Sequence, residues 1–269
     1  LFMIQHDCGH GSFFKSRALN DLVGRAIGVL TLTPYDHWRQ AHAIHHATSG
    51  NLSRRGVGDV ELLTVREYLS LSPWRRLVYR LYRHPLVLFG LGPAYMFVVK
   101  HRFPLPSLPK RRRAIVSVLG TNLAIAAVMT LGMLLFGVTD VLLVQAPITI
   151  LAASIGVWLF YVQHQFDRTY WERDGAWSFE EAALQGSSFY DLPGVLRWFT
   201  ADIGLHHIHH LCSRIPNYRL RECIAEHPAL RAFSRLTLWQ SLKCLRLTLW
   251  DEGEKRLVGF GHLRRRQTG

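Results

Sequence analysis

The sequence has little charge, and it is especially poor in acidic residues. Only 19% of its 269 residues are charged and 49% are hydrophobic, a charge content that is low for a soluble protein of this size. The 19 acidic residues are outnumbered by 32 Lys and Arg, which gives a net charge of +13. Apolarity joined to a basic excess indicates a membrane protein with positive water-facing parts. Nucleic-acid binding is not expected, because a soluble basic domain has no place for long apolar runs.

Cysteine is also scarce, and no two cysteines form a C-x-x-C pair. This pattern fits a reducing cytosolic setting better than a disulfide framework. We interpret each cysteine as a small buried thiol; the four are Cys8, Cys212, Cys223 and Cys244. A glycine-rich dinucleotide motif is missing too, so we do not expect NAD(P)H to bind directly.

Charge is absent from two long runs, residues 114–138 and 141–163. Each exceeds the roughly 20 apolar residues that a helix needs to cross a bilayer. Only Thr139 and Asp140 separate them, which predicts a tight transmembrane hairpin. Two shorter apolar stretches, residues 19–33 and 86–99, are expected to lie on the membrane surface or to insert halfway.

The basic residues predict the orientation of this hairpin. Residues 100–113, "KHRFPLPSLPKRRR", precede it and are strongly basic, whereas its tip has no Lys or Arg. The positive-inside rule therefore places 100–113 in the cytoplasm and the tip outside. Residues 164–269 then form a cytoplasmic cap, with surface helices expected at 218–233 and 238–250 and a frayed tail at 263–269. The predicted fold class is an all-α integral membrane protein with a cytoplasmic, histidine-rich helical cap.

Histidine, in contrast, is abundant and grouped. Three of the groups are "HDCGH" (6–10), "HAIHH" (42–46) and "HHIHH" (206–210). With 15 histidines in the chain, about 0.05 matches to H-x-x-H-H are expected by chance, and two occur. Residues i, i+3 and i+4 share one face of a helix, so each group presents its imidazoles together, whereas His207 should point away. The eight imidazoles exceed the four ligands of a structural zinc site, which indicates two metals without choosing the element.

These three histidine boxes, their order and the hairpin between the second and third resemble the integral-membrane fatty acid desaturases. The resemblance covers the whole chain, 1–269, as one desaturase domain. It rests on "HDCGHGSFF", "HAIHHATSGN" and "HHIHHLCSRIPNYRL". The short first box resembles the acyl-lipid Δ12 and ω3 desaturases. Two further spans precede the first box in that family, so we expect this chain to be an N-terminally short piece.

The resemblance implies two iron ions, together with the residues that hold them. The implied ligands are His6, His10, His42, His45, His46, His206, His209 and His210, with His164 in "VQHQFD" as a ninth. Asp202 departs from the asparagine expected four residues before the third box. If it shares a helix face with His206, it would accept a hydrogen bond from a ligand or hold a metal-bound water. A helix N-terminal residue favoured by the dipole is the alternative.

The resemblance further implies an O2-dependent oxidoreductase. It would introduce a cis double bond into a fatty acyl lipid, with electrons from ferredoxin or a cytochrome-b5-like protein. The site would face the cytoplasm from an integral membrane location, which in a bacterium is the inner membrane. Hydroxylation, acetylenic bond formation and carotenoid oxygenation or ketolation on the same scaffold remain open alternatives. A metal transporter is disfavoured, because residues 114–138 and 141–163 contain no His, Asp or Glu.

Overall fold

The structure is a computed structural model that describes residues 1–267. It is mostly helical. The α-helices are α1 (Phe2–His10), α2 (Arg17–Leu30), α3 (Tyr35–Thr48), α4 (Val65–Ser70), α5 (Pro73–Tyr82), α6 (Gly92–Ala94), α7 (Arg111–Phe136), α8 (Val138–His164), α9 (Phe179–Gln185), α10 (Gly194–Phe199), α11 (His206–Leu211), α12 (Leu220–Glu226), α13 (Leu238–Ser241) and α14 (Phe260–Gln267). The frayed tail expected at 263–269 is wrong for residues 263–267, which belong to α14, and residues 268–269 lie outside the described chain.

Within the described residues, five short strands accompany the helices, although the sequence predicted none. They are β1 (Leu63–Thr64), β2 (Phe189–Asp191), β3 (Arg235–Thr237), β4 (Leu249–Asp251) and β5 (Arg256–Val258). One sheet has the order β1-β4-β5, parallel between β1 and β4 and antiparallel between β4 and β5, and β2 pairs with β3 in parallel. Strands of two or three residues are too short to show an alternating pattern, so no periodicity revealed them.

Two helices, α7 and α8, are long and apolar enough to cross a membrane. In the most apolar stretch of each, only 11% and 6% of the residues are buried within the protein, so most of their side chains are exposed to the surroundings. The break between them is at Gly137, which has a φ of 88°. Thr139 and Asp140 were predicted to form the turn. That placement is wrong, because both lie in the first turn of α8, and the conformational freedom of glycine fixed the break two residues earlier.

The chain divides into two compact units. The first comprises residues 1–43 and 88–158. There Tyr35 is buried and donates from its hydroxyl to the Cys8 carbonyl at 2.7 Å. Gly24 permits this packing, since a Cβ at that position would lie 2.3 Å from the Tyr35 ring. The apolar stretch 86–99 forms two π-helical segments, Val87–Leu91 and Tyr95–Val99, on either side of α6.

The second unit comprises residues 44–87 and 159–269. Its apolar interior is built on the β1-β4-β5 sheet and on the helices around it. One cluster joins α4, α5 and the sheet, and its buried members are Val65, Tyr68, Tyr79, Leu249, Val258 and Leu263. Buried Arg83 donates to the carbonyls of Glu61 and Leu247 at 3.0 and 2.8 Å. These hydrogen bonds satisfy backbone acceptors in the segments that precede β1 and β4.

The helices expected at 218–233 and 238–250 are much shorter than predicted. The first region is α12 followed by a 3-10 turn at Pro228–Ala232. The second is α13, a 3-10 turn at Leu242–Arg246 and the start of β4. Pro228 explains why α12 ends at Glu226, because a proline disfavours helical backbone at the residue before it.

Candidate metal centre

In the first unit the structure brings together His6, His10 and His42. The first two lie on α1 and the third on α3. The Nε2 atoms of His10 and His42 are 3.0 Å apart, and the His6 ring centroid is 4.8 Å from both other rings. The Nδ1 of His6 lies 2.9 Å from the carboxylate of Asp7. That carboxylate accepts the Nδ1 proton, which directs the His6 Nε2 lone pair toward the group.

Trp38 fixes the orientation of His42. The two rings stack with centroids 4.6 Å apart and an interplanar angle of 17°. Gly9, inside the first box, allows the tryptophan to approach, because a Cβ there would lie 2.8 Å from the indole ring. The glycine of "HDCGH" therefore has a packing role, since it leaves room for the side chain that holds His42.

In the second unit four histidines converge on one buried point. They come from α3, the last residue of α8, and α11. The Nε2 of His164 lies 3.2 Å from that of His45 and 3.0 Å from that of His206, which is 3.1 Å from that of His210. All four side chains are buried, and each offers one ligand atom within 4.8 Å of the others.

The hydrogen bonds that the Nδ1 atoms of these rings make determine whether each Nε2 carries a proton or a lone pair. The Nδ1 of His45 donates to the Asp59 carboxylate at 2.5 Å, and the Nδ1 of His164 donates to the Gly186 carbonyl at 3.3 Å. A neutral imidazole has only one N–H, so the Nε2 atoms of His45 and His164 both carry lone pairs. Two lone pairs 3.2 Å apart repel one another, whereas a cation between them would be bound by both. The donor set therefore fits a metal ion.

His46 and His209 form a further pair in the same unit, with Nε2 atoms 3.1 Å apart. His46 also stacks on His210, with ring centroids 4.1 Å apart and nearly parallel planes. Burial lowers the pKa of His210 well below its ordinary value, and the neighbouring imidazoles lower it further. A neutral imidazole is the form that binds metal, so His210 has the ligand form at neutral pH.

His207, inside the third box, points away from this group, as its spacing predicted. Its Nε2 donates to the carbonyl of Leu230 at 2.9 Å, and the side chain is fully buried. Burial lowers its pKa to about 4. His207 therefore has a packing role beside α12.

Asp202 is not where the sequence placed it. It lies in a turn before α11, with a φ of 53°, and the helix begins only at His206. The predicted helix face shared with His206 is therefore wrong, and so is the alternative of a residue in the first helical turn. The Asp202 carboxylate lies 3.3 Å from the Arg221 guanidinium. A role near the metal stays a prediction.

The sequence analysis did not identify Asp59 as a partner of the histidine group. Its carboxylate is 7% exposed and accepts from His45. Asp59 lies 14 residues after His45, beyond the reach of any helical spacing, so no local pattern could have identified it. The expectation for cysteine is only partly met: Cys8 and Cys244 are buried, whereas Cys212 is exposed. Burial and the charges of Asp7 and Asp21 raise the pKa of Cys8 to about 11, which keeps that thiol protonated.

Comparison with known proteins identifies the family of this chain. A family model described as fatty acid desaturase matches residues 1–241. A fatty acid desaturase of Bacillus subtilis is 48% identical over 260 residues, which cover 97% of this chain and 73% of the relative.

Two relatives from Synechocystis are more distant. One, an sn-1 acyl-lipid omega-3 desaturase (ferredoxin), is 32% identical over 90% of this chain and 68% of its own length. The other, an sn-1 oleoyl-lipid 12-desaturase, is 28% identical over 82% of this chain and 62% of its own length. The desaturase resemblance of the three boxes is thereby confirmed: the chain belongs to the fatty acid desaturase family.

Proposed function

We propose that this chain is an O2-dependent di-iron desaturase that introduces a cis double bond into the acyl chain of a lipid. The observation that carries the proposal is the buried group of four imidazoles in which the Nε2 atoms of His45 and His164 lie 3.2 Å apart. Family membership supplies the reaction class.

Nine histidines would hold the two irons. They are His6, His10, His42, His45, His46, His164, His206, His209 and His210. When bound, the irons supply the oxidising power with which O2 and two electrons remove two vicinal hydrogens from an unactivated chain. The protein contributes orientation. The Nδ1 protons of three of these histidines are accepted by Asp7, Asp59 and the Gly186 carbonyl. The Nε2 lone pairs of the same rings would therefore face the metal site before a metal binds.

The membrane placement supports a lipid substrate. We propose that α7 and α8 cross the bilayer, with the basic segment 100–113 and residues 164–269 on the cytoplasmic side. His164 ends α8, so the site would lie at the bilayer surface, where an acyl chain can reach it without leaving the lipid. Within one desaturase domain, 164–269 would then be the cytoplasmic cap.

For the position of the new bond we propose a Δ12 or ω3 specificity on acyl lipids. The short first box supports it, as do the names of the two Synechocystis relatives. An acyl chain that already has a cis double bond is bent, so a bent acyl-binding tunnel can prefer it over a saturated acyl chain. A difference of about 1.4 kcal/mol gives tenfold selectivity.

The electron donor is proposed to be ferredoxin or a cytochrome-b5-like protein. Ferredoxin appears in the name of one relative. Such donors are acidic, and the net charge of +13 would attract them.

The deciding experiment is expression of the full-length gene in a host of known lipid composition, fed stearoyl or oleoyl lipids separately. Mass spectrometry should find a new double bond on the methyl side of the existing one in oleoyl chains. A Δ9 bond in stearoyl chains alone would contradict the specificity but keep the desaturase chemistry. Hydroxylated, acetylenic or oxidised carotenoid products would favour the alternative oxidations.

The metal is tested on the same preparation. Iron should approach two per chain in the wild type and fall in His45→Ala and His209→Ala. His227→Ala, at an exposed position after α12, is the control and should keep its iron. A zinc-only protein, or unchanged iron in the two box variants, would contradict the site.

A further inference from the structure

A cavity of about 520 Å³ opens beside α11 within the second unit. Its walls come from α10, α12, the turn before α11, and strands β2 and β3. Four arginines and two aspartates contribute to the lining: Arg197, Arg221, Arg231, Arg235, Asp191 and Asp202. The cavity therefore has a net charge of +2, and neither desaturation nor iron binding accounts for it.

Two of the arginines are paired within the protein. Arg235 donates to one carboxylate oxygen of Asp191 through Nε at 3.0 Å and Nη2 at 2.5 Å. Arg221 lies 3.3 Å from Asp202. These contacts neutralise both carboxylates, so the surplus positive charge belongs to Arg197 and Arg231.

Arg197 has a donor that faces no acceptor. Its Nε is buried and makes no hydrogen bond with any residue of the described chain. A buried donor without an acceptor is costly, so a ligand oxygen at this position would stabilise the site. Guanidinium groups match phosphate oxygens in two-point hydrogen bonds and are the side chains best suited to phosphate.

The residues around Arg197 bear on which phosphate source would fit this cavity. Arg197 lies on α10, whose other side chains include Val195, Trp198 and Phe199, exposed by 70%, 76% and 72%. Exposed aromatic residues beside arginine are typical of the membrane interface, where rings enter the lipid and cations reach headgroups. A soluble phosphate ester would need the charge but not the apolar residues.

We propose that this cavity binds the phosphate of a phospholipid headgroup, with Arg197 and Arg231 as the donors and α10 seated in the interface. Gly204 and Leu205 line the cavity and directly precede His206. The headgroup would thus be held next to the third histidine box. The inference goes beyond the proposed function, and binding can be measured on metal-free protein, so its failure is separate from a failure of the desaturase assignment.

The test measures binding to metal-free protein in a neutral detergent by native mass spectrometry. Phosphatidylglycerol, a monogalactosyl lipid with the same acyl chains, and inorganic phosphate are the three probes. We expect phosphatidylglycerol to bind at least tenfold more tightly than the galactolipid. The double variant Arg197→Gln/Arg231→Gln should lose that preference, whereas Arg168→Gln, exposed and outside the cavity, should keep it. Equal binding of the two lipids, or a double variant that binds like the wild type, would overturn the proposal.

A second variant separates the lipid from free phosphate and does not disturb the arginines. Trp198→Ser should weaken phosphatidylglycerol binding several-fold and leave inorganic phosphate binding unchanged. If inorganic phosphate binds as tightly as the lipid and Trp198→Ser changes neither, the cavity accepts a soluble phosphate ester and the headgroup assignment is wrong. Helix content measured by circular dichroism identifies any variant that has simply failed to fold.

Discussion

The carboxylate of Asp59 lies 2.5 Å from Nδ1 of His45, in a contact where both side chains are almost fully buried. This contact fixes the His45 tautomer and turns its Nε2 toward His164. It couples a loop that has no metal-binding pattern to the histidine group built from α3, α8 and α11.

Replacing that carboxylate should therefore weaken metal binding without removing a ligand. We expect Asp59→Asn to lower iron affinity by about 10- to 100-fold, the usual effect of losing the partner of a metal-bound histidine. Iron per chain, measured after dialysis against a graded chelator, checks it. Asp167→Asn, at an exposed position of the same unit, should behave like the wild type. An Asp59→Asn protein that keeps its iron equally well would show that His45 is oriented by other contacts.

Two histidines of the third box, His207 and His210, allow a matched pair of variants to be compared. His210→Gln removes an imidazole from the group of four and should release iron. His207→Gln should retain iron, because that ring contacts the Leu230 carbonyl instead. Loss of a buried hydrogen bond costs about 1–3 kcal/mol, so His207→Gln is expected to be less stable but loaded. Iron content and the thermal midpoint, measured side by side, separate the two effects. Equal iron loss in both variants would mean that His207 belongs to the site.

Membrane orientation is tested by labelling single cysteines in a protein whose four native cysteines are replaced. Thr139 and Ser107 are both exposed, so access to the reagent depends on the side of the membrane. A cysteine at Thr139 should react with an impermeant thiol reagent added outside intact cells, and one at Ser107 only after permeabilisation. The opposite labelling would place the basic segment outside and contradict a cytoplasmic site.

Electron delivery should depend on salt if the basic surface docks an acidic donor. Exposed charges are screened beyond about 10 Å at 0.1 M salt and about 3 Å at 1 M. At limiting donor, turnover should therefore fall as ionic strength rises, and saturating donor should restore it. Rates that do not change with salt, at fixed lipid presentation, would assign the positive charge to the membrane alone.

Asp36 gives a pH dependence of stability. Burial raises its pKa, but hydrogen bonds from Arg25 and Arg113, at 2.8 and 2.7 Å, outweigh burial and lower it below the ordinary 3.8. The ionised carboxylate is thus favoured in the folded state. The stabilising contribution of this carboxylate is present above the pKa that it has in the unfolded state. It is lost as the pH falls through the pKa that it has in the folded state.

We expect Asp36→Asn to lower the thermal midpoint at pH 7 by about 2–4 °C, the effect of roughly 1 kcal/mol. The difference should shrink below pH 4, where the wild-type carboxylate becomes protonated. Asp140→Asn, exposed at the start of α8, should show no comparable change. A difference that stays constant from pH 7 to pH 3 would mean that the packing of Asp36, and not its charge, is what matters.

The sequence by itself determined the histidine faces and the long helices. Helical spacing is local, so "HAIHH" and "HHIHH" place their imidazoles together once α3 and α11 form. A bilayer-length run without charge likewise predicts a long apolar helix, and α7 and α8 agree with the predicted runs apart from the break at Gly137. The same helical spacing predicted that His207 points away from the other histidines of the third box.

Only the tertiary structure decided which partners those faces meet. Asp59 reaches His45 across a loop, the Gly186 carbonyl reaches His164 across 22 residues, and Asp202 leaves the helix for a turn that pairs it with Arg221. Each of these contacts depends on the three-dimensional path of the chain, which the periodicity of the sequence does not encode. Tautomers and the charge of a cavity are set by contacts between distant residues, so the spacing of the histidines predicts which imidazoles share a helix face but not the groups that orient them.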